Sequence, residues 1–319
     1  MANNNVAARS EATGYEDSGP VDCSGSFDTS SCKGRTAIVT GGASGIGAAY
    51  VRALAKAGAY VVIADINESA AQKIQQEFPD TTAAIKCDVL SWKDQLAAFK
   101  KAIELSPDDS IDCVVANAGI STDDAILTND ISKDEPDEPS FPVLDINING
   151  VFYTTKLAMW YLQKQNAGDQ KKDRCLVLQA SLAGYLDLVA PSYGASKFAV
   201  RGLMRALRRT SGKDGIRVNL IAPWYINTPI LSSQMSTLIE GSGAEFAEVE
   251  DAALGMMHMV SDGSIHGRAF GIVPRTWKGA PNGYVDLDQD DFKEGTWMHE
   301  KQQNVFKPFK LAAEKSQAK

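Results

Sequence analysis

From Arg35 onward, short and nearly unbroken apolar runs alternate with longer stretches of helical spacing. The runs lie at 36–40, 60–65, 83–88, 111–117, 175–181, 217–222 and 268–274. A strand that is apolar at almost every position has both faces covered; strict alternation would mark a sheet open to water on one side. Between the runs, the periodicity predicts helices near 45–57, 68–78, 92–105, 142–166, 192–212 and 245–260. This rhythm predicts a single-domain α/β Rossmann fold: a doubly wound, seven-stranded parallel sheet with helices on both faces. The domain spans 33–292. Residues 1–32 are polar and aperiodic and read as a disordered or loosely attached tail, as do 293–319. The segment after Pro274 is expected to cover the sheet edge.

Two stretches break the rhythm. Residues 121–142 are acidic, with Asp123, Asp124, Asp130, Asp134, Glu135, Asp137 and Glu138, and read first as solvated loop and second as active-site rim. Residues 224–243 follow the sixth strand at the end of the sheet where α/β enzymes keep substrate lids, and the lid is expected near 224–260; a packed helix that touches no ligand is the alternative.

Composition narrows the function classes. Of 319 residues 44% are hydrophobic, enough for a sizeable core, and the net charge of −8 argues against a nucleic-acid partner. Five cysteines without a CxxC pair suit a reducing, cytoplasmic address. With only three histidines, no metal centre is expected. No apolar run reaches the ~18 residues of a membrane span.

Against this background, Tyr193 and Lys197 stand out. Four positions apart on a helix, they rise about 6 Å and share a face. A phenol ionises near pH 10, and lowering that by about 3 units needs about 4 kcal/mol. An ammonium at about 4–5 Å supplies roughly 3–4 kcal/mol at an effective dielectric near 20. The pair alone is an ordinary helix surface; its significance comes from what lies upstream. Gly41, Ser44, Gly45, Ile46 and Gly47 follow the first strand and open the first helix, where glycines allow a pyrophosphate to approach the helix N-terminus. Asp65 ends the second strand, 18 positions beyond Gly47, near the spacing of a ribose-binding acid. A 2′-phosphate about 4 Å from this carboxylate would lose roughly 4 kcal/mol per charge, so the cofactor expected is NAD.

With these residues in place, the chain over roughly 33–275 resembles the short-chain dehydrogenase/reductase family. The resemblance runs through Gly41, Gly45, Ile46 and Gly47, then Asp88, then Asn117-Ala118-Gly119, then Asn147, Ser181, Tyr193 and Lys197, in order. It implies hydride transfer on a tetrad. Tyr193 would exchange the alcohol proton and Ser181 hold the substrate oxygen. Lys197 would bind the nicotinamide ribose and depress the tyrosine, and Asn147 would place a water in a proton relay. Asp88 and Val89 would meet the adenine, and Pro223, Ile226 and Thr228 the nicotinamide end. The closest flavour is the hydroxyprostaglandin-dehydrogenase-like branch together with fungal secondary-metabolite alcohol dehydrogenases. Family members form dimers or tetramers through helices four and five, so a homodimer or homotetramer is expected.

The chain departs from the family at Pro223-Trp224, where Pro-Gly is usual, and its interval from Ser181 to Tyr193 is one residue short. The substrate pocket is expected to be largely apolar, built from Leu182, Tyr185, Trp224, Tyr225, Ile230, Leu231 and Met235, with Trp224 either lining it or merely packing. The reading is NAD-dependent oxidation of a secondary alcohol on an apolar small molecule. Carbonyl reduction on the same site is the first alternative, and a dinucleotide-binding scaffold without turnover the second.

Overall fold

The computed structural model describes residues 19–287, except 169 and 188, together with 301. The central sheet runs through β1 (Thr36–Thr40), β2 (Tyr60–Asp65), β3 (Thr82–Lys86), β4 (Cys113–Ala116), β5 (Arg174–Gln179), β6 (Ile216–Pro223), β7 (Ala269–Ile272) and β8 (Tyr284–Asp286). Their order is β3-β2-β1-β4-β5-β6-β7-β8. The first seven are parallel, in agreement with the expected sheet; β8 is an antiparallel addition that pairs Phe270 with Asp286. It is three residues long, too short to leave a periodic signal. Strands β1, β4, β5 and β6 are buried at every position, which is why their sequences do not alternate.

The helices are α1 (Gly45–Lys56), α2 (Glu68–Glu77), α3 (Trp92–Leu105), α4 (Val151–Gln165), α5 (Pro191–Ser211), α6 (Ser233–Gly241) and α7 (Val249–Ser261). Asn67, Ser91 and Ser232 cap α2, α3 and α6, each accepting a first-turn amide. Helix α4 is entered through a π-turn over Asp145–Gly150. One apolar core lies between the sheet and α1 and α7, with Tyr50, Leu54, Met256 and Phe270. The other lies under α3, α4 and α5, with Phe99, Leu162, Val200 and Met204. Each such side chain contributes about 1.5–3 kcal/mol on leaving water. The chain leaves β1 toward β2 and β3, then crosses back to β4. The crevice beyond the C-terminal ends of β1 and β4 is therefore where a ligand fits an open α/β sheet.

Two expectations need correction. Residues 19–32 are not loose. Val21 N donates to Asp286 Oδ2 at 2.8 Å, Asn282 Nδ2 to Cys23 O at 3.0 Å, and the Phe27 ring stacks on His258 at 4.3 Å. Four apolar anchors, Val21, Cys23, Phe27 and Cys32, are hidden among polar neighbours, so composition misses them. Nor is all of 224–260 lid-like, because α7 is core, with Ala252, Met256 and Met259 at 0% exposure. Only the stretch before it, through α6, has the exposure of a cover. The expected tails at 1–18 and 293–319 lie outside the described residues, Lys301 aside.

Candidate active site

The glycine loop between β1 and α1 is shaped by contacts that exclude side chains. Gly41 has φ +63°, and a Cβ on it would stand 2.8 Å from Ala118 Cα; one on Gly47 would stand 2.1 Å from Gly41 O. Loop and β4 end are sewn together, with Asn117 Nδ2 donating to Thr40 O and Gly41 O at 3.0 and 3.1 Å. The Ala118 amide donates to Thr40 Oγ1. Ser44, at the start of α1, makes no side-chain cap bond, and the first turn carries no acid. Backbone donors at an uncapped helix start, beside a crevice, fit a pyrophosphate. Asp65 closes the loop from β2: its Oδ2 accepts the Ala43 amide at 2.9 Å and its Oδ1 the Asn67 amide at 2.8 Å. The carboxylate retains lone pairs for ribose hydroxyls.

Farther along the crevice, Asp88 Oδ1 accepts the Leu90 amide, and Val89 is buried against Gly150, where a Cβ would lie 2.8 Å from Val89 Cγ2. At the other end, Thr228 lies over the loop, 3.2 Å from the Cβ position of Gly45. Ile226 is buried and bridges to Ala247, while Pro223 O receives the Ser181 hydroxyl at 3.2 Å. Ile46 packs on the α1 core.

The four tetrad residues converge at the ends of β4, β5 and α5. Asn147 sits in the π-turn, fully buried; its Oδ1 accepts Ile120 N at 2.9 Å, and its Nδ2 donates to Ile120 O at 3.0 Å and Ser196 Oγ at 3.1 Å. A Cβ on Gly119 would touch both Asn147 Oδ1 (3.1 Å) and Lys197 Nζ (3.4 Å), so glycine keeps that contact open. Lys197 Nζ lies 5.4 Å from the Tyr193 ring centroid and donates to Gln179 O at 3.4 Å. Gln179 was not anticipated; its side chain is held by the buried Tyr50 hydroxyl at 2.7 Å.

Proximity of the two groups alone does not set their electrostatics. Burial pushes the Tyr193 phenol above its ordinary value, with Ser181 pulling the other way, and burial draws Lys197 down to about 8. Attraction between the two groups is opposed by the water each loses on burial.

The expected substrate wall is only partly brought together. Leu182 is buried in the α3–α5 core, and the Tyr185 ring faces the Arg201 guanidinium at 3.8 Å. Trp224 packs: its Nε1 donates to Glu245 O at 3.1 Å and its ring meets Tyr225 and Trp277 at 4.6 and 5.3 Å. Leu231 lines an open groove of about 560 Å³ with Thr228, Ser233, Ser236 and Thr237. Ile230 and Met235 are not on its wall but exposed, so α6 offers that groove mostly hydroxyls. Among the described residues no His, Cys, Asp or Glu group could hold a metal, and no helix is long and apolar enough to cross a membrane.

Comparison with known proteins is consistent with this geometry. Residues 35–238 match the family model described as short chain dehydrogenase. A 5′-hydroxyaverantin dehydrogenase of Dothistroma septosporum is 34% identical, over 88% of this chain and 94% of its own. An NADP-dependent dehydrogenase of Cochliobolus lunatus is 34% identical over 73% and 87%. The NAD(+)-dependent 15-hydroxyprostaglandin dehydrogenase of Mus musculus is 30% identical over 83% and 89%. Among solved structures, a 3-ketoacyl-(acyl-carrier-protein) reductase from Brucella melitensis complexed with NADH superposes with TM-score 0.66 at 26% identity, covering 76% of this chain and 97% of that one.

Proposed function

Because the chain belongs to the short-chain dehydrogenase/reductase family and is an oxidoreductase of that family, we propose that it oxidises a secondary alcohol on a mainly apolar small molecule to the ketone, with NAD. The observation that carries this reading is the convergence of Ser181, Tyr193, Lys197 and Asn147 beside a glycine loop built for a dinucleotide. The dinucleotide supplies the hydride acceptor when bound. Tyr193 takes the carbinol proton as the carbon–hydrogen bond gives up its electron pair. Ser181, whose hydroxyl is oriented by Pro223 O and the Ala183 amide, holds the substrate oxygen. Lys197 gives Tyr193 a cationic neighbour. Asn147, pinned at both ends of its amide, positions the proton path beside Gly119.

NAD over NADP rests on Asp65, whose carboxylate is fixed by two amides at the end of β2 and would repel a 2′-phosphate. A homodimer or homotetramer is supported by exposed aromatic side chains on α4 and α5, namely Phe152, Tyr153, Trp160 and Phe198. Five free, buried thiols favour a cytoplasmic address. The relatives named for 5′-hydroxyaverantin and 15-hydroxyprostaglandin favour a hydroxylated small-molecule substrate.

Carbonyl reduction is the second reading, favoured by the burial that pushes the Tyr193 phenol above its ordinary value, toward the form that donates. One experiment separates the two. NAD and NADP are each offered with a panel of apolar secondary alcohols, and their reduced forms with the matching ketones, at pH 7 and pH 9. Oxidation with NAD that strengthens at pH 9 supports the proposal. Ketone reduction dominating at both pH values, or a preference for NADP, overturns it.

A further inference from the structure

Helix α5 starts at Pro191, and the residue before it, Ala190, has no side chain able to cap it. Pro191 has no N–H, so Ser192 carries the first donor that the helix itself cannot satisfy. That donor is met from 68 residues upstream. Asp124 Oδ2 accepts the Ser192 amide at 2.6 Å, and Asp124 Oδ1 accepts the Ser192 hydroxyl at 3.0 Å. The same Oδ1 takes the Ile126 amide at 3.1 Å, turning the loop back toward its own start. These donors, the Ser192 amide first, hold the Asp124 carboxyl below the usual carboxylate range. On the helix side the junction is shielded, since Ser192 is 5% exposed.

The position of this bond gives it consequence. Tyr193 is the next residue, still in the first turn, while Lys197 lies a full turn deeper and is buried. Helix ends open more readily than helix interiors. Loss of the fastening would therefore move the phenol and leave the lysine and the glycine loop in place. We propose that Asp124 is a positioning residue for catalysis, clamping the first turn of α5 to the 121–141 loop so that the Tyr193 hydroxyl stays in register with Ser181. The acidic loop, which composition alone marks as solvated, thereby becomes part of the active-site frame through one of its carboxylates. The inference rests on Tyr193 being the proton-transfer residue.

The test compares Asp124→Ala and Asp124→Asn with the wild-type chain. Three readouts are taken: steady-state oxidation of an accepted alcohol, NADH binding by fluorescence, and hydrogen–deuterium exchange over 190–198. Asp124→Ala is expected to lower kcat about 10- to 100-fold, since displacements near 1 Å carry costs of that order. NADH affinity should stay within about twofold, and exchange at the start of α5 should quicken at least about tenfold while 200–211 is unchanged. Asn keeps one acceptor oxygen and should recover much of the lost kcat. The proposal falls if exchange at 190–198 is unaltered. It also falls if kcat stays within twofold of wild type, or if cofactor affinity drops in step with kcat. Should the wild-type chain oxidise no alcohol, the functional reading fails on its own, and the exchange measurement still decides the clamp.

Discussion

Helices α1 and α5 both begin without a cap from their own flank, and they meet that shortage in opposite ways. At α1, Ser44 makes no cap bond and no acid enters the first turn, so the backbone donors face the crevice. At α5, a carboxylate from a distant loop already sits on Ser192. The first arrangement suits a ligand that arrives and leaves as an anion. The second suits a side chain that has to be in one place before any ligand arrives. A helix start reserved for phosphate has to be written locally, in glycines, because only the absence of Cβ lets strand, loop and helix approach so closely. A helix start closed by tertiary contact carries no such mark.

Tyr193→Phe, at the α5 start, gives the largest expected effect. Alcohol oxidation should drop about 10³-fold, in the range of general acid–base catalysis, with NADH affinity nearly unchanged by fluorescence titration. A loss of cofactor binding of similar size would mean that the two helix starts are not independent.

Lys197→Met probes the same helix through stability. Lys197 titrates at about 8 when folded against 10.5 for the free side chain, so the unfolded chain holds this proton more tightly. The resulting penalty on folding is complete below pH 8 and fades as pH rises to 10.5. Removing the amine should abolish turnover and yet stabilise the fold by up to about 3 kcal/mol at pH 7. Urea denaturation at pH 7 and pH 10 checks this, and an advantage of equal size at both pH values would contradict the assigned cause.

On the α1 side, Asp65→Ser should shift the NAD to NADP ratio of kcat/KM toward NADP by roughly 10²-fold, through relief of charge repulsion. An unchanged ratio would mean that another group sets the preference. The smallest effect is expected from Tyr50→Phe, which strands the buried Gln179 side-chain oxygen and should cost about 1–3 kcal/mol in chemical denaturation. Since Gln179 O also receives Lys197, this variant tests whether α1 and the catalytic strand are mechanically joined.

The same contrast explains what could be read from the chain. The parallel sheet and the glycine loop were legible because buried strands and tight turns constrain composition at consecutive positions. Asn147, Ser181, Tyr193 and Lys197, which the resemblance picks out, lie near one another because one helix, one strand end and the π-turn before α4 carry them. Gln179 and Asp124 were not legible, since each works through contacts 18 to 129 residues away in the chain. The raised phenol was missed because burial is a property of the whole fold. Ile230 and Met235, expected on the substrate wall, turn outward, and α6 alone has too weak a pattern to say which face it would bury.

The antiparallel β8 has a practical side. As the last strand of the sheet it sits where an exposed edge can start strand-to-strand aggregation. Residues 21–27 fasten this margin through Val21 on Asp286 and Phe27 on His258. An expression clone begun at residue 33, where the repeating pattern starts, would strip away that fastening; a clone begun before residue 19 keeps the Val21 and Phe27 contacts.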